Sequence, residues 1–210
     1  TVAKDFPEGW FAYVSCTQTG ARFRVDMFRL YEGTYVPYKA AAREGRAPVA
    51  VRLFDTTKPS PEPLTAEALS ERPGWVEVPE DDLGHPFKGD AVLLNNRMAL
   101  VLRRRANGAE VYTLEPDGPA LRTRLVPAGD APAGRLVSVK MLENDPAGAV
   151  LETAYTAAGG DTLGVAYTLR MGQVFVETTA RGSTGRLRVE APCRFMVLPD
   201  FFADDIVLDA

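Results

Sequence analysis

Histidine is almost missing from this chain of 210 residues: His85 is the only one. That scarcity removes a good deal of chemistry. Zinc sites draw on clusters of His and Cys, and the two cysteines, Cys16 and Cys193, stand far apart with no metal-type spacing. A Ser-His-Asp triad would have to use His85, and no G-x-S-x-G stretch supplies its nucleophile. No glycine-rich phosphate loop joins a strand to a helix, and the D-x-D-x-D-G calcium spacing is absent. No metal or cofactor is expected on these grounds. His85 itself, in "LGHPF", reads as a solvated or hydrogen-bonded loop residue.

Lysine is scarce as well. Five lysines stand against nineteen arginines, and a net charge of −4 carries no general nucleic-acid footprint. No apolar run approaches the roughly eighteen residues of a membrane helix, and no charged-then-apolar leader opens the chain. Nucleic acid and membrane insertion are therefore not expected as partners. Two cysteines leave the redox question open. Paired, Cys16 and Cys193 would close a long loop and contribute roughly 4–5 kcal/mol; unpaired, they are small buried hydrophobes. The chain begins at Thr1 and stops inside the apolar run "DIVLDA". It reads as a piece of a longer, exported protein with other domains beside it, its last strand continuing past Ala210.

What is present is alternation. From about Arg97 onward, "RMALVLRRR" sets Met98, Leu100 and Leu102 at period two, and "ALRTRLV" places Leu121, Thr123 and Leu125 on one side with Arg122 and Arg124 on the other. Leu163, Val165, Tyr167, Leu169 and Met171 continue the pattern in the clearest strand of all. Asn107-Gly108 marks a tight type I′ hairpin, since both residues tolerate positive φ. Asp117-Gly118, Gly159-Gly160, Gly172 and "RGSTG" supply further turns. Strands at this spacing with Gly-rich turns predict an all-β protein, an antiparallel β-sandwich.

Before residue 80 the pattern is β-rich but less regular. "GWFAYVSCT" and "ARFRVDMFRLY" read as strands, the second with a bulge where Phe28 and Leu30 change phase. "VPYKAAAREG" reads as a helical turn, and "TAEALSER" as a short helix capped by Thr65. The polar segment Pro79–Asp90 is the best internal boundary. The expected partition is a β-rich N-terminal subdomain over 1–80 and a sandwich domain over 87–210.

Candidate functional residues follow from what remains. Carboxylate-pair chemistry needs two acids at the right separation, and Glu143, Asp145, Glu152, Glu177, Glu190 and the tail aspartates are available. Glu177 and Glu190 read better as a solvated strand face. In "LPDFFADDIVLDA", Asp200 and Asp204 stand four apart, yet calcium takes six to eight oxygens. With Asp205 they read as a cap and turn after Pro199, leading into a strand. Nine of the nineteen aromatics precede residue 39. Tyr35 and Tyr38, beside Gly33 and Pro37 in a loop-like stretch, are the candidate ligand-binding residues, because sugar C–H faces stack on exposed aromatics. Arg103–Arg105 point to alternate faces if they lie in a strand; with Arg122 and Arg124, some would offer a basic face to an acidic glycan, against the simpler reading of solvated surface.

The stretch "GDAVLLNNRMALVLRRRANGAEVYTLE" resembles the opening of a galactose-mutarotase-like supersandwich, found among polysaccharide-active proteins. The resemblance covers 87–210. It implies a sandwich associated with carbohydrate handling, while the family's catalytic histidine has no strand counterpart here. The expected function is thus a non-catalytic module of an exported protein that binds a glycan or a cell surface. A fragment of a polysaccharide lyase or glycoside hydrolase, and a structural spacer, are the alternatives.

Overall fold

The computed structural model describes residues 9–16, 22–31, 34–37, 50–129, 133–157, 160–191, 195–198 and 206–209; before residue 50 and after residue 194 the description is of backbone pairing. Strands β1 (Gly9–Cys16), β2 (Arg22–Tyr31), β3 (Thr34–Pro37) and β4 (Arg52–Asp55) come first, followed by a short helix α1 (Ala66–Glu71). Next are β5 (Val76–Glu77), β6 (Ala91–Leu94), β7 (Met98–Leu102), β8 (Ala109–Glu115) and β9 (Gly118–Ala128). Then come β10 (Leu136–Asp145), β11 (Gly148–Thr156), β12 (Thr162–Arg170) and β13 (Phe175–Gly182). The series closes with β14 (Arg186–Glu190), β15 (Phe195–Leu198) and β16 (Ile206–Asp209).

These strands form two sheets, and the protein is an all-β sandwich. One sheet runs β10-β11-β12-β13-β2-β1-β15-β16, with β3 also on β2; the other runs β14-β9-β8-β7-β6-β4-β5. Pairing is antiparallel except between β1 and β15, where Ala12 and Tyr13 meet Met196 and Val197 in parallel. Each sheet combines strands that precede residue 80 with strands that follow residue 90: β2 pairs with β13, and β4 pairs with β6. The segments expected as subdomain and sandwich therefore share their sheets.

The core between the sheets follows from period two. Leu53, Leu93, Met98, Leu100, Leu102, Val111 and Leu125 from the seven-stranded sheet meet Leu151, Tyr155, Leu163, Val165, Tyr167 and Leu169 from the other. Met171, expected to continue that series, lies past the end of β12 and is 42% exposed.

The seven-stranded sheet buries its outer face too. Phe54, Val92, Leu94, Ala99, Val101 and Tyr112 form a second apolar cluster, covered by Leu64 and Ala68. All five residues of β7 are consequently buried, not alternate ones. Helix α1 sits in this cover. Its N-cap is Thr65, whose side chain accepts from the Ala68 N–H, and it ends at Arg72 in a left-handed conformation. The expected Thr65 cap is present.

Three local expectations are corrected. The registers of β2 with β1, β3 and β13 run unbroken, so there is no bulge at Phe28. A bulge occurs in β9 instead: Val111 faces Thr123 and Tyr112 faces Leu121, leaving Arg122 as the extra residue. Leu121 accordingly packs on the outer cluster while Leu125 packs in the inner core, on opposite faces. The β7–β8 connection is a six-residue loop between Leu102 and Ala109, not a two-residue turn. Gly108 is needed there for close approach, since a Cβ would lie 2.5 Å from the Leu125 carbonyl oxygen.

Candidate functional site

The most elaborate polar structure lies on the outer face of the seven-stranded sheet. In β8, Glu110 and Tyr112 point outward, and Glu110 stands directly opposite Arg124 of β9. Opposite charges paired across strands attract, and here the carboxylate is fully buried. A buried charge is tolerable when its oxygens are bonded and its charge is matched. Glu110 meets both conditions. Its Oε2 accepts from Arg103 Nε at 2.8 Å and from the Tyr112 hydroxyl at 2.7 Å; its Oε1 accepts from Arg124 Nη2 at 3.0 Å. Tyr112 Oη accepts in turn from the Leu64 N–H at 3.1 Å, and burial pushes the phenol's pKa up.

Arg103 commits all three of its nitrogens to this network. Its Nη1 reaches the Ser60 carbonyl at 3.0 Å and Ser60 Oγ at 2.9 Å, and its Nη2 reaches the Pro61 carbonyl at 2.7 Å. Burial would lower its pKa, but the charge and hydrogen bonds of Glu110 hold it above the ordinary value. Asp90, just before β6, completes the arrangement. Its Oδ2 accepts from Ser60 N and Oγ, both at 2.8 Å, and its Oδ1 accepts from the Arg104 N–H at 3.1 Å. The segment Lys58–Leu64 is strapped across the sheet by charge-assisted bonds, which are the stronger kind.

A second hub fixes the neighbouring loop. Buried Asp55, at the end of β4, accepts from the N–H groups of Thr57, Lys88 and Gly89 at 2.8, 2.7 and 2.8 Å. Its Oδ2 also lies 3.1 Å from His85 Nε2. Burial would raise the Asp55 pKa, but the backbone donors and then His85 hold it below the usual carboxylate range. Gly89 permits this fit, because a Cβ there would lie 2.5 Å from Thr56 Oγ1. His85 is thus the hydrogen-bonded loop residue expected, packed edge-on against Phe87.

Between the strap, the loop ending at Asp90 and the turn after β7 lies a cleft of about 740 Å³. Cations dominate its lining: Lys88, Arg103, Arg104, Arg105 and Arg124, against Glu62 and Asp90. Arg104 spends one nitrogen, Nη1, on the carbonyls of Lys88 and Phe87 at 2.8 and 3.3 Å. The Lys88 ammonium, the Arg105 guanidinium and the Asn107 amide, also in the lining, form no bond among the described residues. Chemically this is a fixed concave surface with surplus hydrogen-bond donors and surplus positive charge.

Arg103–Arg105 were expected to diverge to alternate faces. They do not. Strand β7 ends at Leu102, so the three arginines occupy a turn, and all of them line the cleft with Arg124. Arg122 is drawn away by the β9 bulge. Its Nε bonds Thr113 Oγ1 at 2.8 Å, and its guanidinium pairs with Glu115.

The carboxylates named from the sequence are scattered. Glu143 pairs with Arg170, Glu152 with Arg181, and Glu190 with Arg188. Asp145 accepts from the N–H groups of Ala147 and Gly148 in the β10–β11 turn. None of them lines the cleft. Among the described residues no group of three or more His, Cys, Asp or Glu could hold a metal, and no helix is long and apolar enough to cross a membrane.

Tyr35 lies in strand β3, paired with Leu30. Tyr38, Cys193, Asp200, Asp204 and Asp205 lie outside the described residues, as does the expected helical turn beyond Pro37.

Sequence reasoning missed Glu110, Asp90, Asp55, Ser60 and Glu62. A signal existed for one of them. Glu110 is a lone acid inside the strand "AEVYTL", where folding the hairpin brings an arginine strand opposite. No protein family, curated protein or solved structure matches the chain.

Proposed function

We propose that this chain is a non-catalytic carbohydrate-binding β-sandwich module of an exported protein, and that it holds an acidic glycan in the arginine-lined cleft. One observation carries the reading. Lys88, Arg104, Arg105 and Arg124 converge on one concave surface, on a chain whose net charge is −4. Arginine's planar fork suits carboxylate and sulfate groups, and Asn107 adds an amide for sugar hydroxyls. The buried acids support binding over catalysis. Glu110 and Asp90 are committed to arginines and backbone donors, so their bonds go to fixing the site's shape. The resemblance of 87–210 to galactose-mutarotase-like supersandwich domains favours a carbohydrate ligand as well.

Isothermal titration with oligogalacturonate and with heparin-derived oligosaccharides tests this. Binding should weaken as salt rises, because exposed charges are screened, and Arg105→Ala or Lys88→Ala should reduce affinity about tenfold. Neutral dextran and single-stranded DNA serve as controls. Absence of binding to any acidic glycan, or equal binding to DNA, overturns the reading. Release of unsaturated sugar ends from the polysaccharide would reveal a lyase instead. Tyr35→Ala and Tyr38→Ala probe the tyrosine surface expected from the sequence; unchanged affinity in both removes it from the site.

A further inference from the structure

Arg124 carries two carboxylates on one nitrogen. Its Nη2 lies 3.0 Å from Glu110 Oε1 and 3.0 Å from Glu62 Oε1. The two acids are held very differently. Glu110 has no exposed side-chain area and is gripped by Arg103 and Tyr112 as well. Glu62, in the strap and in the cleft lining, has a side chain 61% exposed and no other bond among the described residues. Two carboxylates brought together on one nitrogen repel each other, and an exposed ion pair is weakly held. Glu62 is the member that can leave.

We propose that Glu62 is an internal stand-in for the ligand: its carboxylate occupies the Arg124 subsite in the free protein, and an anionic group of the glycan displaces it. This rests on the acidic-glycan reading above. It adds the chemical class of the group bound at Arg124, a carboxylate or sulfate, and names the residue that sets affinity there. With Glu110 left in place, Arg124 stays anchored by the sheet when Glu62 departs, so the vacated donor geometry is already formed. Glu62 also puts a negative charge beside the incoming anion. Both effects reduce affinity, and both vanish without the carboxylate.

The experiment compares wild type, Glu62→Gln and Glu62→Ala by isothermal titration against oligogalacturonate and heparin-derived oligosaccharides. Glu80→Gln, an exposed acid outside the cleft, controls for net charge. Both Glu62 variants should bind about three- to tenfold tighter than wild type, while Glu80→Gln stays within about twofold. A gain with oligogalacturonate, which is charged through carboxylates alone, identifies the subsite as one for carboxylate; a gain confined to heparin fragments, which carry both groups, assigns it to sulfate. Wild-type binding with unchanged or weaker affinity in the Glu62 variants overturns the stand-in alone, since Glu62 would then be idle or itself a ligand contact. Binding by none of the proteins overturns the acidic-glycan reading along with it. A gain of the same size in Glu80→Gln overturns the local explanation in favour of overall charge.

Discussion

The two faces of the seven-stranded sheet are both buried, but by different physics. Its inner face meets the second sheet through aliphatic side chains and two tyrosines. Its outer face is covered by chain from Thr56 to Trp75, which brings only a small apolar cluster of its own and is tied down through Asp55, Asp90, Arg103 and Glu110. The polar atoms fare differently as well. Outside, Glu110 is bonded at both oxygens. Inside, the hydroxyls of Tyr155 and Tyr167 are buried without a hydrogen-bond partner among the described residues. They lie near enough to affect each other's ionisation. Apolar burial is non-directional and tolerates such an orphan, whereas a strap held by a few charges works only if every charge is matched.

The sharpest break in this comparison is Glu110→Ala. It leaves Arg103 buried beside Asp90 alone and removes Arg124's anchor, and losing one partner of a buried pair costs about 3–5 kcal/mol. Urea unfolding should show that loss. A change below about 1 kcal/mol would mean the strap is held by its apolar contacts instead. Leu100→Ala makes the corresponding cut on the inner face and should cost about 3 kcal/mol through lost burial and a residual cavity. Its effect should leave glycan affinity unchanged, while Glu110→Ala should weaken it, because only the outer face shapes the cleft.

Two groups, one from the inner core and one from the loop hub, should act at opposite ends of the pH scale. Burial pushes the Tyr155 phenol up to about 12, above the value of about 10 in an unfolded chain. The stability this contributes is present below pH 10 and lost as pH rises toward 12, by about 2 kcal/mol. Tyr155→Phe should remove that alkaline loss and, by deleting an orphan hydroxyl, leave neutral stability equal or higher. Asp55 lies the other way. Its folded value is below the unfolded one of about 3.9, so its contribution is present above pH 4 and lost as pH falls further. Asp55→Asn should flatten the acid limb in melting curves and leave the alkaline limb in place. The smallest expected change is Thr65→Ala, about 1 kcal/mol for a lost helix cap in the outer cover. Thermal melting that shows no change would place α1 outside the cooperative unit.

Much of this was legible beforehand, and the failures have a common cause. The strands of 98–190, the Thr65 cap and the strand "DIVLDA" follow from local rules: period two, a side-chain oxygen before a helix, a proline at a strand's end. Arg103–Arg105 were misread because alternation was extended past Leu102, where the strand had already ended. Leu121 and Leu125 were assigned one face because a bulge at Arg122 leaves no mark in the pattern. Gly108 was credited with positive φ, although its role is to let a neighbouring carbonyl approach.

By itself, the sequence determined the fold class and the identity of the strands, because backbone geometry alternates side chains whatever the chain's wider path. It also set the available chemistry, one histidine and nineteen arginines. The cleft was decided only by tertiary structure. Glu62, Lys88, Arg105 and Arg124 span 62 positions, and they meet because the turn after β7, the β8–β9 register and the strap are brought together by Glu110, Asp90 and Asp55. Such meetings depend on registers and buried charge pairs between distant segments, for which no local periodicity exists to be read.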